Sequence, residues 1–297
     1  MKRLRDEGYS ELQARRPTDV IDLRKAHSSV RKCTLIPYPA ISPEIIRIGP
    51  FAVRWYGMMY VLGFASSYLL VKNQIKKRGL PFPRDFVSSL FSYITIGLLI
   101  GARLGYILFY NLAAYLREPL EVFRVWHGGM SFHGGLVGSV IAGILFSRKT
   151  RVDFWQTADL VIVTAPIGLG LGRIGNFING ELYGRVTDVP WAMVFPAGGS
   201  LPRHPSQLYE FLLEGVLLFI ILWIAKDRGF RSGVLTALFL VLYGLFRFFV
   251  EFVREPDPQV GFITGVLTMG QLLSAGMMFT GAAIFYLTGK YGKDRSQ

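Results

Sequence analysis

The residues best equipped for chemistry fall in one short stretch, GLGRIGNFINGELYGR, residues 170–185. An arginine, two asparagines and a glutamate follow one another within nine positions, Arg173, Asn176, Asn179 and Glu181, with Arg185 just beyond. Arg173 and Asn176, three apart, share a helix face. A second column lies further on, where Tyr243, Arg247 and Glu251 are spaced four apart and present a phenol, a guanidinium and a carboxylate on one face. An intrahelical ion pair would explain Arg247 and Glu251, but in lipid such a pair contributes little that two leucines would not. A histidine, His133, stands between Phe132 and the pair Gly134–Gly135, which let another backbone or a ligand approach closely. Imidazole is the side chain best suited to move a proton near neutral pH, although a lone histidine at a helix end is more often structural. Arginine presents a planar fork that matches phosphate. Together these residues read as a pocket that binds or expels a phosphate.

The elements that must position them are membrane helices. Of 297 residues 51% are apolar and only 18% are charged, less charge than soluble domains carry. About 20 apolar residues cross roughly 30 Å of hydrocarbon. Seven stretches approach that length: residues 53–71, 86–112, 132–146, 158–178, 208–225, 234–253 and 264–287, the third being short and glycine-rich. The expected fold is an all-α membrane protein of seven transmembrane helices. Lysine and arginine alternate between the connections, fourteen on one side and five on the other. The richer side is cytoplasmic, which places the C-terminus inside and the N-terminus outside, in the periplasm.

Residues 170–175 also fit the dinucleotide pattern G-x-G-x-x-G. That reading fails, because the pattern must follow a strand and open a βαβ unit, and an apolar run precedes it here. The glycines instead suit close helix packing and a helix end that opens onto a polar cavity. The net charge of +13 would suggest nucleic acid in a soluble protein, yet the basic residues decorate loop ends rather than one groove. One cysteine and four histidines without metal-ligand spacing make no case for a disulfide, a metal or any other cofactor.

Charged groups at membrane depth each need a partner, a cavity or a task. The inventory is Arg54, Arg103, His133, Asp159, Arg173, Glu210, Glu214, Arg247 and Glu251. Arg54 and Asp159 lie near helix ends and are expected to snorkel. Glu210 and Glu214, four apart, repel each other, so at least one must meet an arginine or be protonated.

Residues 1–50 contradict the charge rule. They carry ten lysines and arginines on the side assigned outside, without an apolar signal core. The domain reading is therefore a disordered basic extension over residues 1–40, a seven-helix domain over 41–290 and a cytoplasmic tail over 291–297. Most of the extension reads as translation from upstream of a true start near Val30 or Leu35.

At the functional stretches the chain resembles the prolipoprotein diacylglyceryl transferases of bacteria. The resemblance rests on GRIGNFINGELYGR at residues 172–185, RWYGMMYVLGF at 54–64, GGMSFHGGLVG at 128–138, RHPSQLYEFLLEG at 203–215 and YGLFRFFVEFVREPD at 243–257. It implies a multi-pass inner-membrane enzyme with its active site toward the outer leaflet. Such an enzyme moves the diacylglyceryl group of phosphatidylglycerol to the lipobox cysteine of a prolipoprotein signal peptide, leaving a thioether and glycerol 1-phosphate. The positions carried over are Tyr56, His133, Arg173, Asn176, Glu181, Gly184, Tyr243, Arg247 and Glu251. His133 is then the candidate base for the thiol. Arg173 and Arg247 stabilise the leaving phosphate, and Tyr56, Asn176, Asn179, Glu181, Gly184, Tyr243 and Glu251 bind substrate. A thiol pKa lowered by arginine would dispense with the base. Cys33, preceded by Arg31 and Lys32, is not itself a lipobox cysteine. A transporter would need repeated halves with paired broken helices, and no internal repeat is found. A metal-dependent headgroup transferase would need several intramembrane aspartates, where only Asp159 is present.

Overall fold

The computed structural model describes residues 36–291, apart from residues 40, 50, 125–127, 257–262 and 264–266. The expectations for residues 1–35, Cys33 included, and for the tail beyond residue 291 lie outside the described residues. An antiparallel hairpin, β1 (Glu44–Ile48) and β2 (Phe51–Arg54), leads into α1 (Trp55–Arg78). Then come α2 (Phe86–Tyr110), the short α3 (Leu112–Arg117) and α4 (Phe132–Thr150). The bent pair α5 (Phe154–Ile162) and α6 (Ala165–Asn179) follows, with α7 (Ser206–Ala225), α8 (Val234–Val250) and α9 (Met269–Tyr291) completing the chain.

The chain is mostly helical. Three helices are long and apolar enough to cross a membrane, Phe86–Tyr110, Ser206–Ala225 and Met269–Gly289, and the α5–α6 pair makes a fourth if it counts as one span. The expected spans 53–71, 132–146 and 234–253 correspond to α1, α4 and α8, of 24, 19 and 17 residues. Those three are not among the helices that length and hydropathy alone identify as crossing. Large apolar side chains point away from the bundle on α2 and α9, among them Phe109 and Phe279, as lipid-facing surfaces do.

Two expectations need correction. The fourth span is not one helix, because α5 and α6 meet at an angle of 41° across Val163 and Thr164. Pro166 explains the break: it lacks an N–H, and its ring would clash with the carbonyl of Ile162 in a continuous helix. Hydroxyls serve the break, since Thr164 Oγ1 donates to the Val161 carbonyl (2.7 Å) and lies 2.5 Å from Ser67 Oγ. Asp159 does not snorkel. It is buried and accepts hydrogen bonds from the Gly233 and Thr236 amides and the Thr236 hydroxyl, all at 2.8–2.9 Å, so it caps the start of α8 from another helix. Arg54 does stay exposed, 4.0 Å from Glu44.

Small residues set the helix spacing. On α2, Gly97, Gly101 and Gly105 recur every fourth position and face Gly134 and Gly138 of α4. A β-carbon on Gly138 would collide with the Gly97 carbonyl oxygen, and one on Gly101 with that of Gly134. The two backbones are therefore in contact, and that contact sets the position of His133 one residue before Gly134. Arg103, buried on the same helix, donates to the carbonyls of Glu121, Val122, Arg124, Gly128 and Gly129, and so clamps the connection between α2 and α4.

Overpacking at such a contact costs about 1–3 kcal/mol. Gly138→Ala is expected to lose stability of that order, measured by thermal unfolding in detergent. Gly276→Ala, in α9 where nothing lies within 4 Å of the added carbon, is expected to melt as wild type does. Equal melting of both variants would show that the α2–α4 contact yields without cost.

Candidate functional site

The fold places three carboxylates and three guanidinium groups in one buried cluster. Glu210 and Glu214 come from one face of α7, through a π-helical stretch over Phe211–Leu217 of the kind found at functional sites. Arg173 comes from the last turns of α6, Arg247 and Glu251 from the end of α8, and Arg254 from the turn after it. Glu210, only 1% exposed, touches all three arginines: Arg173 at 2.5 Å, Arg247 at 3.1 Å and Arg254 at 3.8 Å. Glu214 lies 3.8 Å from Arg173 and 3.9 Å from Arg247. Glu251 pairs with Arg247 at 3.0 Å and with Arg254 at 3.5 Å. The repulsion expected between Glu210 and Glu214 is answered by arginines from two other helices. The intrahelical Arg247–Glu251 pair exists, but as one edge of this network. Tyr243 stands on the same face of α8, with Glu214, Arg173, Arg247 and Glu210 as its charged neighbours.

Beside the cluster, α6 ends in a polar shelf. Gly180 takes the left-handed conformation (φ 67°) that closes the helix, and its amide returns to the Phe177 carbonyl at 3.0 Å. The chain then turns so that Glu181 Oε1 accepts from Asn176 at 2.9 Å and from Asn179 at 3.1 Å. Gln207, buried at the start of α7, donates to the Glu181 carbonyl at 2.6 Å. Tyr56 of α1 packs against Gly175, has Glu181 and Arg173 as charged neighbours, and its hydroxyl lies 3.0 Å from that of Tyr60.

A strap closes over both. The Gly184 amide donates to the His204 carbonyl and the Arg185 amide to that of Val253, both at 2.8 Å. A β-carbon on Gly184 would meet Val253 O at 2.5 Å and His204 Cβ at 2.6 Å, so this glycine has a packing role where three segments cross. Arg203 stacks over Tyr183 and pairs with Glu255 at 3.0 Å, and Arg185 donates to the Arg254 and Glu251 carbonyls. The Trp191 indole donates to the Tyr209 hydroxyl (2.7 Å), which lies 3.1 Å from His204 Nδ1. Partial burial holds the His204 imidazole below its ordinary pKa.

Of the residues expected from sequence, Arg173, Tyr243, Arg247 and Glu251 share the cluster. Asn176, Asn179 and Glu181 form the shelf, Tyr56 adjoins it, and Gly184 lies in the strap. His133 is placed differently. It is exposed in the first turn of α4, its ring 5.7 Å from that of Phe132, on a helix whose main packing partner is α2. Three residues of the cluster carry no role that the sequence alone assigns: Glu210 and Glu214, legible only as buried carboxylates, and Arg254, which counts as a loop charge. The signal for Arg254 is the spacing Arg247–Glu251–Arg254, which continues one helix face past the helix end.

Removing one member of a buried ionic network leaves its partners uncompensated, at a cost of about 3–5 kcal/mol. Glu210→Ala, which strips a carboxylate from all three arginines, is expected to lose stability on that scale in denaturant unfolding. Unchanged stability of this variant would mean that the three arginines hold together without it.

The likeness to known proteins covers this whole arrangement. A family model described as prolipoprotein diacylglyceryl transferase matches residues 43–287. A phosphatidylglycerol–prolipoprotein diacylglyceryl transferase of Desulfotalea psychrophila is 51% identical over 254 residues, 84% of this chain and 93% of its own length. One of Geobacter sulfurreducens is 52% identical over 253 residues, 85% and 97% of the two chains. One of Pseudomonas aeruginosa is 47% identical over 264 residues, 89% and 98%. The match runs through the helices and turns that carry the cluster, the shelf and His133, and the chain belongs to the prolipoprotein diacylglyceryl transferase family.

Proposed function

We propose that this protein transfers the diacylglyceryl group of phosphatidylglycerol to the lipobox cysteine thiol of bacterial prolipoproteins, releasing glycerol 1-phosphate. The observation that carries the reading is the buried cluster, in which Arg173 and Arg247 offer forks to one small volume beside a shelf of amide and carboxylate groups. The working topology is seven spans over residues 41–290 with the N-terminus periplasmic. The ends of α6 and α8 and the starts of α4 and α7 then all lie on the outer side, where the connections hold few basic residues.

The reaction forms a carbon–sulfur bond and breaks the bond between the glyceryl carbon and a phosphate oxygen. Negative charge grows on the leaving phosphate, which Arg173 and Arg247 stabilise in a site shielded from water. The phosphate competes with Glu210 and Glu251 for these forks. Tyr56, Asn176, Asn179, Glu181 and Tyr243 hold the headgroup by hydrogen bonds, and the Gly184 backbone keeps the strap close. The thiol proton passes to His133, whose exposure leaves it open to an arriving peptide.

Purified protein in detergent, given only phosphatidylglycerol and a lipobox peptide, is expected to yield the thioether by mass spectrometry together with glycerol 1-phosphate. Transfer of intact lipid between vesicles with no modified peptide would favour a transporter instead. Arg173→Lys and Arg247→Lys keep the charge but lose the fork. Each is expected to slow turnover at least roughly 100-fold, about 2.7 kcal/mol of barrier. Normal turnover by either variant would make that arginine a structural counter-ion.

The base assignment makes a claim about pH. His133→Gln cannot accept the proton, so its rate should be low at about pH 7 and recover toward about pH 9, where a thiol ionises unaided. A defect of constant size at every pH would remove His133 from the proton transfer.

A further inference from the structure

We infer that Gly270, in the first turn of α9, is a positioning residue for this site, because its missing side chain makes the seat on which the Glu251 carboxylate rests. The inference builds on the proposed transferase reading. A β-carbon on Gly270 would fall 2.5 Å from Glu251 Cδ and 2.6 and 2.7 Å from the two carboxylate oxygens. Real β-carbons do not approach heavy atoms so closely, so the carboxylate lies directly on the glycine's α-carbon.

The seat is built from both sides. Thr268 and Gln271 cap α9 reciprocally: the Gln271 amide donates to Thr268 Oγ1 at 3.3 Å, and the Thr268 amide to Gln271 Oε1 at 3.1 Å. Both residues are buried. This box fixes where the helix begins, and the positive end of a helix favours a carboxylate beside its first turn. Further along, α9 is pinned against α8 by two more close contacts. A β-carbon on Gly281 would lie 2.8 Å from the Ala237 carbonyl, and one on Gly244 2.8 Å from that of Ser274. A retreat of α9 to make room at residue 270 would open both of these packed contacts, so the less costly adjustment is at the side chain.

A methyl group there must therefore displace the Glu251 carboxylate. That carboxylate pairs with Arg247 at 3.0 Å and Arg254 at 3.5 Å, so moving it takes from each of these two guanidinium groups one of its carboxylate partners and leaves Glu210 as the other. Arg247 then has Glu210, at 3.1 Å, as its nearest remaining carboxylate, and its fork is no longer held from both sides. Gly270 thus touches neither the lipid nor the thiol, and acts through Glu251 on the fork that receives the phosphate.

The test compares Gly270→Ala with Gly276→Ala, in the same helix with open space around it. Purified proteins are assayed with phosphatidylglycerol and a lipobox peptide, and their thermal unfolding is recorded. Gly270→Ala is expected to lower kcat about tenfold or more while Gly276→Ala turns over as wild type does. The second arm is a double-mutant cycle with Glu251→Asp, whose shorter side chain withdraws the carboxylate from the seat. Adding Gly270→Ala to Glu251→Asp is expected to cost far less, in kcat and in melting temperature, than adding it to wild type. Additive losses in both readouts, or full turnover by Gly270→Ala, would overturn the inference. Should wild-type protein yield no thioether, the transferase reading falls by itself, and the coupling in melting temperature still decides whether Gly270 seats Glu251.

Discussion

A carboxylate cannot be left alone in a low-dielectric interior, and the rest of this structure is arranged around three that are not. Glu210, Glu214 and Glu251 are each at most 2% exposed, and the arginines that answer them come from α6, from α8 and from the turn beyond α8. Glu210 is the common partner, so α6, α7 and α8 can move relative to one another only by separating charge in a medium that penalises it. The glycine contacts follow from the same demand. Gly170 and Gly215 bring the α6 and α7 backbones together, with a β-carbon on either falling within 3.0 Å of the other's α-carbon. That approach is what lets Arg173 reach Glu210.

Buried ionic clusters seldom repay their desolvation, and apolar side chains of similar volume would commonly hold three helices together as well. Retaining six charged groups there makes sense if they bind something. In the proposed reaction a phosphate arriving at Arg173 and Arg247 would find donors already oriented by their carboxylate partners. The strap formed by residues 183–185, 203–204 and 253–255 has the complementary task. Its backbone amides are satisfied by one another, through Gly184 to His204 and Arg185 to Val253, so irregular chain can lie near the membrane without exposing free N–H groups to it.

Much of this is legible in the sequence, and what is hidden has physical causes. Apolar runs locate the helices because about 20 apolar residues in a row match the thickness of hydrocarbon and little else. The break between α5 and α6 is written in Pro166, but an average over the span conceals a single residue that lacks a donor. Arg173, Arg247 and Glu251 stand out as charges where charges are expensive. Glu210 and Glu214 stand out in the same way, but which arginines they meet does not, because pairing across helices depends on which faces meet, and no spacing along one chain states that. Arg254 lies past the helix end, where it reads as one more loop charge. Asp159 misleads for a similar reason: its depth suggests an escape to water, while its real partners are the amides at the start of a helix 74 residues further on. Gly270 carries no signal of its own, since its meaning comes from a carboxylate on another helix.

The placement of His133 is best understood together with that of the arginines. His133 sits on the α2–α4 pair and the arginines on the α6–α7–α8 group, so the proton acceptor and the phosphate site of the proposed reaction would rest on separate parts of the bundle. In the proposed reaction a sulfur displaces a phosphate oxygen from a saturated carbon. The entering and leaving atoms must then lie on opposite sides of that carbon, with their orbitals in line. A base adjacent to the arginines would draw the thiol toward the face the phosphate occupies, and two neighbouring cations would oppose protonation of the imidazole. Separation removes both conflicts, and it makes the distance between the two helix groups part of the catalytic geometry. Under the proposed base assignment, the glycine seam between α2 and α4 matters to the chemistry as well as to packing, because it sets the position of His133.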